Sequence, residues 1–164
     1  MPDNGLPDGW RRGTLSDLAV LNPDGWEPSP EGTIRYMDIA SINAPGRIGP
    51  CSEMPSASAP SRARRKARPG DVLVSTVRPY LRAFARLSDV PENLVISTGF
   101  AVLRPRDECD GEFLYQQVLT DEFQRHLAPR MTGTGYPAVR PSDVADFPIL
   151  VPPPSERTRI AEVL

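Results

Sequence analysis

Three groups of side chains in this 164-residue sequence have the types and spacing for binding polyanions and the edges of bases. The first is Arg62, Arg64, Arg65, Lys66 and Arg68, five cations within seven residues. Each cation that neutralises a phosphate releases a condensed counterion, so such density attracts polyphosphate; a solvated face offsetting acidic residues elsewhere is the competing reading. The second is Arg78, Tyr80 and Arg82. An arginine there can grip guanine O6 and N7 with two donors, or ladder across a sheet. The third is Thr132-Gly-Thr-Gly-Tyr136, running on to Arg140. Its glycines permit close backbone approach, the hydroxyls of Thr132 and Thr134 can bind phosphate, and Tyr136 can stack or hydrogen-bond; an ordinary helix-to-strand loop is the plainer alternative.

Catalytic chemistry finds little support. The single histidine, His126, falls on an expected helix without an evident orienting partner, so it reads as structural or solvent-facing. No serine or cysteine stands in a nucleophile elbow, and no glycine-rich phosphate cradle is present. Asp107, Glu108, Asp110 and Glu112 gather at a helix start, where the helix dipole accounts for them. Cys51 and Cys109 lack metal-ligand spacing and are expected as free thiols in a reducing cytoplasm, there being no secretory or membrane-length apolar stretch. The expectation is therefore no catalytic residue, no metal and no cofactor on this chain.

These groups need a scaffold, and the composition permits one. A chain of this length buries about 68–70% of its unfolded surface. Net charge is -2, from 19 basic and 21 acidic residues, so any anion-binding face must be local. Twenty prolines and twelve glycines punctuate recurring apolar runs, which predicts a turn-rich globular fold rather than disorder.

Met1 to Asp8 reads as a polar lead-in, followed by a tryptophan anchor at Trp10 and a short helical turn. A strand is expected from Thr33, ended by the turn at Ala44-Pro45-Gly46. Cys51 to Pro69 is poor in apolar residues and reads as a mobile loop or a short helix. Val72 to Val77 is the strongest strand signal, with further short strands at Ala83–Leu87, Leu94–Ile96, Phe100–Leu103 and Phe147–Val151. From Gly111 to Leu127 the apolar residues recur at three-to-five spacing, which predicts one amphipathic helix with Asp110 as its N-cap. Ser155 is the expected N-cap of a closing helix, and the sequence stops inside it, so a module of something longer is expected.

The segments Gly70-Asp-Val-Leu-Val-Ser75, Ser97-Thr-Gly-Phe-Ala-Val-Leu-Arg-Pro105, Phe113-Leu-Tyr115, Thr132-Gly-Thr134, Asp146-Phe-Pro-Ile149 and Pro152-Pro-Pro-Ser-Glu156 occur in one order. In that order the chain, from about Gly9 to Leu164, resembles the target recognition domains of type I restriction-modification specificity (S) subunits. The family's usual Gln after the glutamate of the last segment is Arg157 here, a departure that leaves the helix start intact.

The resemblance implies a mixed α/β domain with a strongly twisted, mostly antiparallel sheet of short strands, one long amphipathic helix and the start of a C-terminal spacer helix. Residues 1–8 would be a flexible lead-in, 9–154 the recognition domain and 155–164 the opening of the spacer. It implies a non-catalytic chain that reads one half of a bipartite target in double-stranded DNA for a methyltransferase and endonuclease complex. Its partners would be methylation (M) subunits, optionally a restriction (R) subunit, and a second recognition domain in the same or another chain. S-adenosylmethionine would sit on the methylation subunit. In keeping with this, the sequence lacks the Asn/Asp-Pro-Pro-aromatic segment that amino-methyltransferases use on a flipped base.

Charge and loop placement, rather than any motif match, nominate the DNA-contacting residues. Arg62, Arg64, Arg65, Lys66 and Arg68 are assigned to phosphate, and Arg78, Tyr80, Arg82, Thr132, Thr134, Tyr136 and Arg140 to positions near base edges. Ser155, Arg159 and Ile160 are the candidates for partner contact. Two other readings stay open: a protein-interaction module that docks a methyltransferase subunit, and the recognition domain of a single-chain restriction-methylation fusion.

Overall fold

The apolar run Val72-Leu-Val-Ser75 is buried on both faces, and the fold is layered around it. The computed structural model describes residues 5–164, so the first half of the expected lead-in lies outside the described residues. In chain order the elements are β1 (Arg11–Thr14), α1 (Leu15–Leu18), β2 (Ala19–Leu21), β3 (Thr33–Met37), β4 (Ile42–Ala44), β5 (Arg47–Ile48), β6 (Ser52–Pro55), β7 (Ala63–Arg65) and β8 (Val72–Ser75). They continue with β9 (Phe84–Arg86), β10 (Leu94–Ser97), β11 (Phe100–Pro105), α2 (Gly111–Val118), α3 (Asp121–Leu127), α4 (Pro141–Ala145), β12 (Pro148–Val151) and α5 (Pro154–Val163).

Strands β2, β11, β8 and β9 form one four-stranded antiparallel sheet, and β6, β3, β10 and β7 a second. Among the described residues only the β3–β10 pair is parallel. Because side chains alternate across a strand, each central strand feeds two cores. Val72, Val74, Phe84, Ala101 and Leu103 point into a core shared with α1 to α4 and β12. Leu73, Ala85, Phe100 and Val102 point the other way, meeting Leu94, Ile96 and Met37 of the second sheet. Beyond that sheet, Ile34, Tyr36 and Val95 pack under Trp26, Met54 and Ala59. Double-sided burial explains why β8 reads as an unbroken apolar run.

The mixed α/β class is as the sequence predicts, but the sheet is not one sheet: two four-stranded sheets are accompanied by two two-stranded pairs, β1–β12 and β4–β5. The expected helix over Gly111–Leu127 is two helices. Thr120 ends the first and caps the second, its hydroxyl accepting from the Phe123 amide at 3.2 Å. In one straight helix Val118 and Phe123 would stand roughly 140° apart. The break lets both face the same core. There Phe123 sits edge-on to Phe84 and Phe147, with centroids 5.9 and 5.1 Å away.

Cys51 to Pro69, expected as a mobile loop or a short helix, supplies the edge strands β6 and β7, paired with β3 and β10, and its only helical part among the described residues is a single 3-10 turn at Ser56–Ser58. Edge strands here bury little beyond Ala63, so the segment carries almost no apolar signal. The Trp10 region likewise forms β1 and β2 on either side of the expected helical turn. The closing helix begins one residue before Ser155. Pro153 is the N-cap and Pro154 takes the first helical position, where its fixed φ and missing N–H are tolerated.

Candidate nucleic-acid interface

The three sequence-nominated groups meet the fold in different ways. Arg78 and Arg82 bracket a single 3-10 turn, Pro79–Leu81, and both have left-handed backbones with φ of 46° and 53°. Each non-glycine residue held there costs roughly 1–2 kcal/mol. The cost is offset by clamps. The Arg78 amide donates to the Pro137 carbonyl at 2.8 Å, and the Arg82 guanidinium donates to the Leu119 carbonyl at 2.8 Å and the Asp121 carboxylate at 2.6 Å. The Gln124 side chain donates to the Pro79 carbonyl at 3.1 Å.

Opposite this turn the Thr132–Tyr136 loop is closed by paired backbone hydrogen bonds between Thr132 and Ala138, both 2.9 Å. Gly133 and Gly135 supply the positive φ values of 99° and 79° that the reversal needs. The Arg78 guanidinium donates twice to the Gly135 carbonyl, at 3.2 and 2.7 Å, and lies over the Tyr136 ring. Thr132, Thr134 and Tyr136 are all exposed. The second and third groups thus form one surface. Arg140 stands at its end and is more constrained than the sequence suggests, since its backbone amide donates to Asp143 at 2.8 Å and its guanidinium to the same carboxylate at 3.2 Å. His126 has a structural role, its Nε2 2.8 Å from the Asp143 carbonyl and its ring edge-on to Phe147.

The first group is divided by the sheet. Arg62 lies beside the turn between β10 and β11, where its carbonyl accepts from the Thr98 amide at 2.8 Å. That turn continues through Gly99 to Thr76, whose amide and hydroxyl both donate to the Gly99 carbonyl, at 2.8 and 2.9 Å. Val139 in turn donates to the Thr76 carbonyl at 2.9 Å, so Arg62 and the Thr132–Arg140 loop share one edge of the molecule. A Cβ at Gly99 would come 2.5 Å from Ile39 Cδ1, so a larger residue there would have to displace the Ile39 side chain.

Thr76 follows the last residue of β8, Ser75, whereas Arg68 lies before the first, Val72, and so stands at the opposite end of that strand. There its guanidinium is 3.5 Å from Asp24. Asp24 and the buried Asp71 also hold Arg104, at 2.7 and 2.9 Å. Arg65 is half-buried, with burial pushing its guanidinium below its usual range and Nε left without a partner. Lys66 donates to the Glu92 carbonyl at 3.0 Å and Arg64 to the Ala63 carbonyl at 2.7 Å. Of the five cations only Arg62 joins the Arg78–Tyr136 edge through the hydrogen bonds described. Leu81, the exposed tip of the 3-10 turn, is not among the residues that charge and loop placement nominate. The Arg78-Pro79 start of that turn was its available signal.

At the other end of the domain, the Arg157 guanidinium is buried, donating to Asp110 at 2.7 Å and to the Pro152 carbonyl at 2.8 Å. Asp110 therefore serves Arg157, not the amides of α2. Trp10 Nε1 donates to Glu156 at 2.9 Å. These contacts anchor α5. Ser155 and Arg159 remain exposed, whereas Ile160 packs partly on the helical core. Both cysteines are free; burial pushes the Cys51 thiol up, and the Asp107 carboxylate chiefly does so for Cys109. Among the described residues no acidic, histidine and cysteine cluster could hold a metal, and no helix is long and apolar enough to cross a membrane.

Solved structures match this arrangement across the chain. The HsdS subunit from Thermoanaerobacter tengcongensis superposes with a TM-score of 0.81 at 34% identity, over 99% of this chain and 43% of that one. Over nearly its whole length the chain is similar to type I restriction-modification specificity subunits. A second structure, from work on complex assembly and conformational transition of the type I R-M system, matches at a TM-score of 0.80 and 34% identity, over 96% of this chain and 42% of that one. The type I restriction-modification system S subunit from M. genitalium shares the fold, with a TM-score of 0.54 at 18% identity over 99% of this chain and 39% of that one. The type I restriction enzyme HindI specificity subunit of Haemophilus influenzae is 25% identical over 109 residues, 64% of this chain and 24% of that protein. This chain thus spans less than half the length of the specificity-subunit relatives it matches. No protein-family model matches it.

Proposed function

We propose that this chain recognises a short sequence in double-stranded DNA, one half of a bipartite target, for a type I restriction-modification complex. The observation that carries the reading is the whole-chain likeness, at 34% identity, to solved specificity-subunit domains. The Arg62, Arg78 and Tyr136 edge offers suitable chemistry: cations for phosphate and an exposed aromatic surface held by a rigid sheet. Arg78 has no carboxylate within ion-pair distance among the described residues, so its charge is available to a polyanion.

In this reading the chain itself is not catalytic, and methylation and cleavage belong to partner subunits, with S-adenosylmethionine on the methylation subunit. Residues 9–154 act as the recognition domain and 155–164 begin the spacer. The exposed face of α5, with Ser155 and Arg159 beside Ile160, contacts a methylation subunit. Glu156, Arg159, Ile160, Val163 and Leu164 line that face. A second recognition domain would read the other half-site.

Selection of duplexes from a randomised pool by the purified chain tests the reading. Enrichment of one short motif, matching half of a methylated-adenine motif mapped in a host carrying the whole system, is the expected result. Recovery of no preferred duplex overturns it.

A further inference from the structure

We propose that the Pro79–Leu81 turn is an apolar wedge that enters a base step of the bound duplex, with Leu81 inserting and Tyr80 stacking beside it. This deepens the DNA reading above and rests on it. Leu81 is 60% exposed and Tyr80 49%, an unusual use of two large apolar side chains on adjacent residues. They protrude from a turn whose two flanking residues, Arg78 and Arg82, are non-glycine residues at positive φ, a conformation that persists only where surrounding contacts over-determine it.

Those contacts all come from behind the tip. The turn is closed by the Leu81 amide donating to Arg78 and the Arg82 amide to Pro79, both at 3.0 Å. Gln124 holds the Pro79 carbonyl, Arg82 holds α3 through Asp121, and Arg78 holds the Gly135 carbonyl. These hydrogen bonds fix the backbone of the turn with Leu81 exposed. Unstacking a base step costs free energy that a compliant loop escapes by retreating, whereas a clamped turn can deliver it. Contact with a thymine methyl would need the apolar group but not the rigidity.

The surroundings fit DNA rather than a protein partner. Arg78 places a cation and the 72% exposed Tyr136 ring next to the turn, and Arg62 lies along the same edge. Cations flanking an apolar tip can hold the backbone on either side of an opened step.

The experiment uses the duplex recovered from a randomised pool by the wild-type chain, with 2-aminopurine walked through the site and a donor–acceptor pair at the ends. A several-fold fluorescence rise at one step and a shortened end-to-end distance are expected on binding. Leu81→Ala should abolish both and weaken binding about tenfold, with the slope of log K against log salt unchanged. Tyr80→Phe should retain both. Leu81 is exposed, so an unaltered melting temperature for Leu81→Ala separates the wedge from misfolding.

A bound duplex that stays stacked and straight overturns the wedge while leaving DNA recognition intact. So does a rise that persists in Leu81→Ala, or wild-type affinity in that variant, as a thymine-methyl contact or a protein-docking tip would give respectively. A chain that enriches no duplex overturns both proposals.

Discussion

The Arg78 guanidinium lies 4.4 Å from the centroid of the Tyr136 ring while donating to the carbonyl of Gly135, the residue before it. One side chain thereby fixes the glycine-threonine loop and presents an exposed aromatic face, and its charge is not cancelled by a carboxylate among the described residues. An exposed cation–π contact contributes about 0.5–1 kcal/mol, so the pair positions the loop more than it stabilises the fold.

Arg78→Gly removes the guanidinium, and with it both the loop contact and the charge, while relaxing the backbone. Glycine relieves the left-handed backbone at φ 46°, so thermal stability should hold or rise, while DNA affinity falls about tenfold. Melting and binding measured on the same preparation check this, and affinity equal to wild type would remove Arg78 from the interface.

The division of the basic run predicts unequal salt effects. Arg62→Ala should reduce the slope of log K against log salt by about 0.9, the value of one phosphate contact. Arg68→Ala, whose side chain lies beside Asp24 at the far end of β8, should leave the slope unchanged. Titrations at several salt concentrations decide it, and equal losses would restore the run as a single patch.

The Arg157–Asp110 pair sets how α5 leaves the domain. Removing one partner strands a buried charge, so Arg157→Ala or Asp110→Ala should destabilise by about 3–5 kcal/mol in denaturant unfolding. The double substitution Arg157→Met with Asp110→Leu should recover most of that loss. Additive losses in the double variant would contradict the pairing.

Two carboxylates predict the acid limb of stability. Asp24 lies below its usual range, first because the Arg104 side chain donates to it, with burial opposing and the charges of Arg104, Arg68 and Lys66 adding. For Asp143 burial pushes upward, but the backbone and side-chain hydrogen bonds from Arg140 more than reverse it. Both pKa values are lowered on folding, so their stabilisation is complete above the unfolded carboxylate value of about 3.9 and is lost as pH falls through the folded values. The melting temperature should be level from neutral pH to about 5 and drop below about 4. Asp143→Asn should melt lower at pH 7 and show a shallower acid limb; an unchanged limb would rule Asp143 out as a contributor.

Local sequence was enough for the apolar strands β8, β10 and β11, because residues buried on both faces must be apolar at nearly every position. It was also enough for the turn at Ala44-Pro45-Gly46, where backbone chemistry is local, but the strand expected to run from Thr33 to that turn stops at Met37 before a 3-10 turn at Ile39–Ser41, and the start of α5 falls on Pro153 and Pro154 rather than on Ser155. Thr120-Asp121-Glu122 carried the start signal of a second helix, although the apolar spacing around it suggested one continuous helix. Other features arise only from pairing across the fold. The strands β6 and β7 exist because β3 and β10 offer backbone groups to pair with, and Arg157 is buried because Asp110, 47 residues earlier, meets it. The five-cation run was legible as charge, but its separation into Arg62 on one edge and Arg68 beside carboxylates on another was not. A strand carries its residues across the molecule, and only the sheet's pairing sets which end meets which partner.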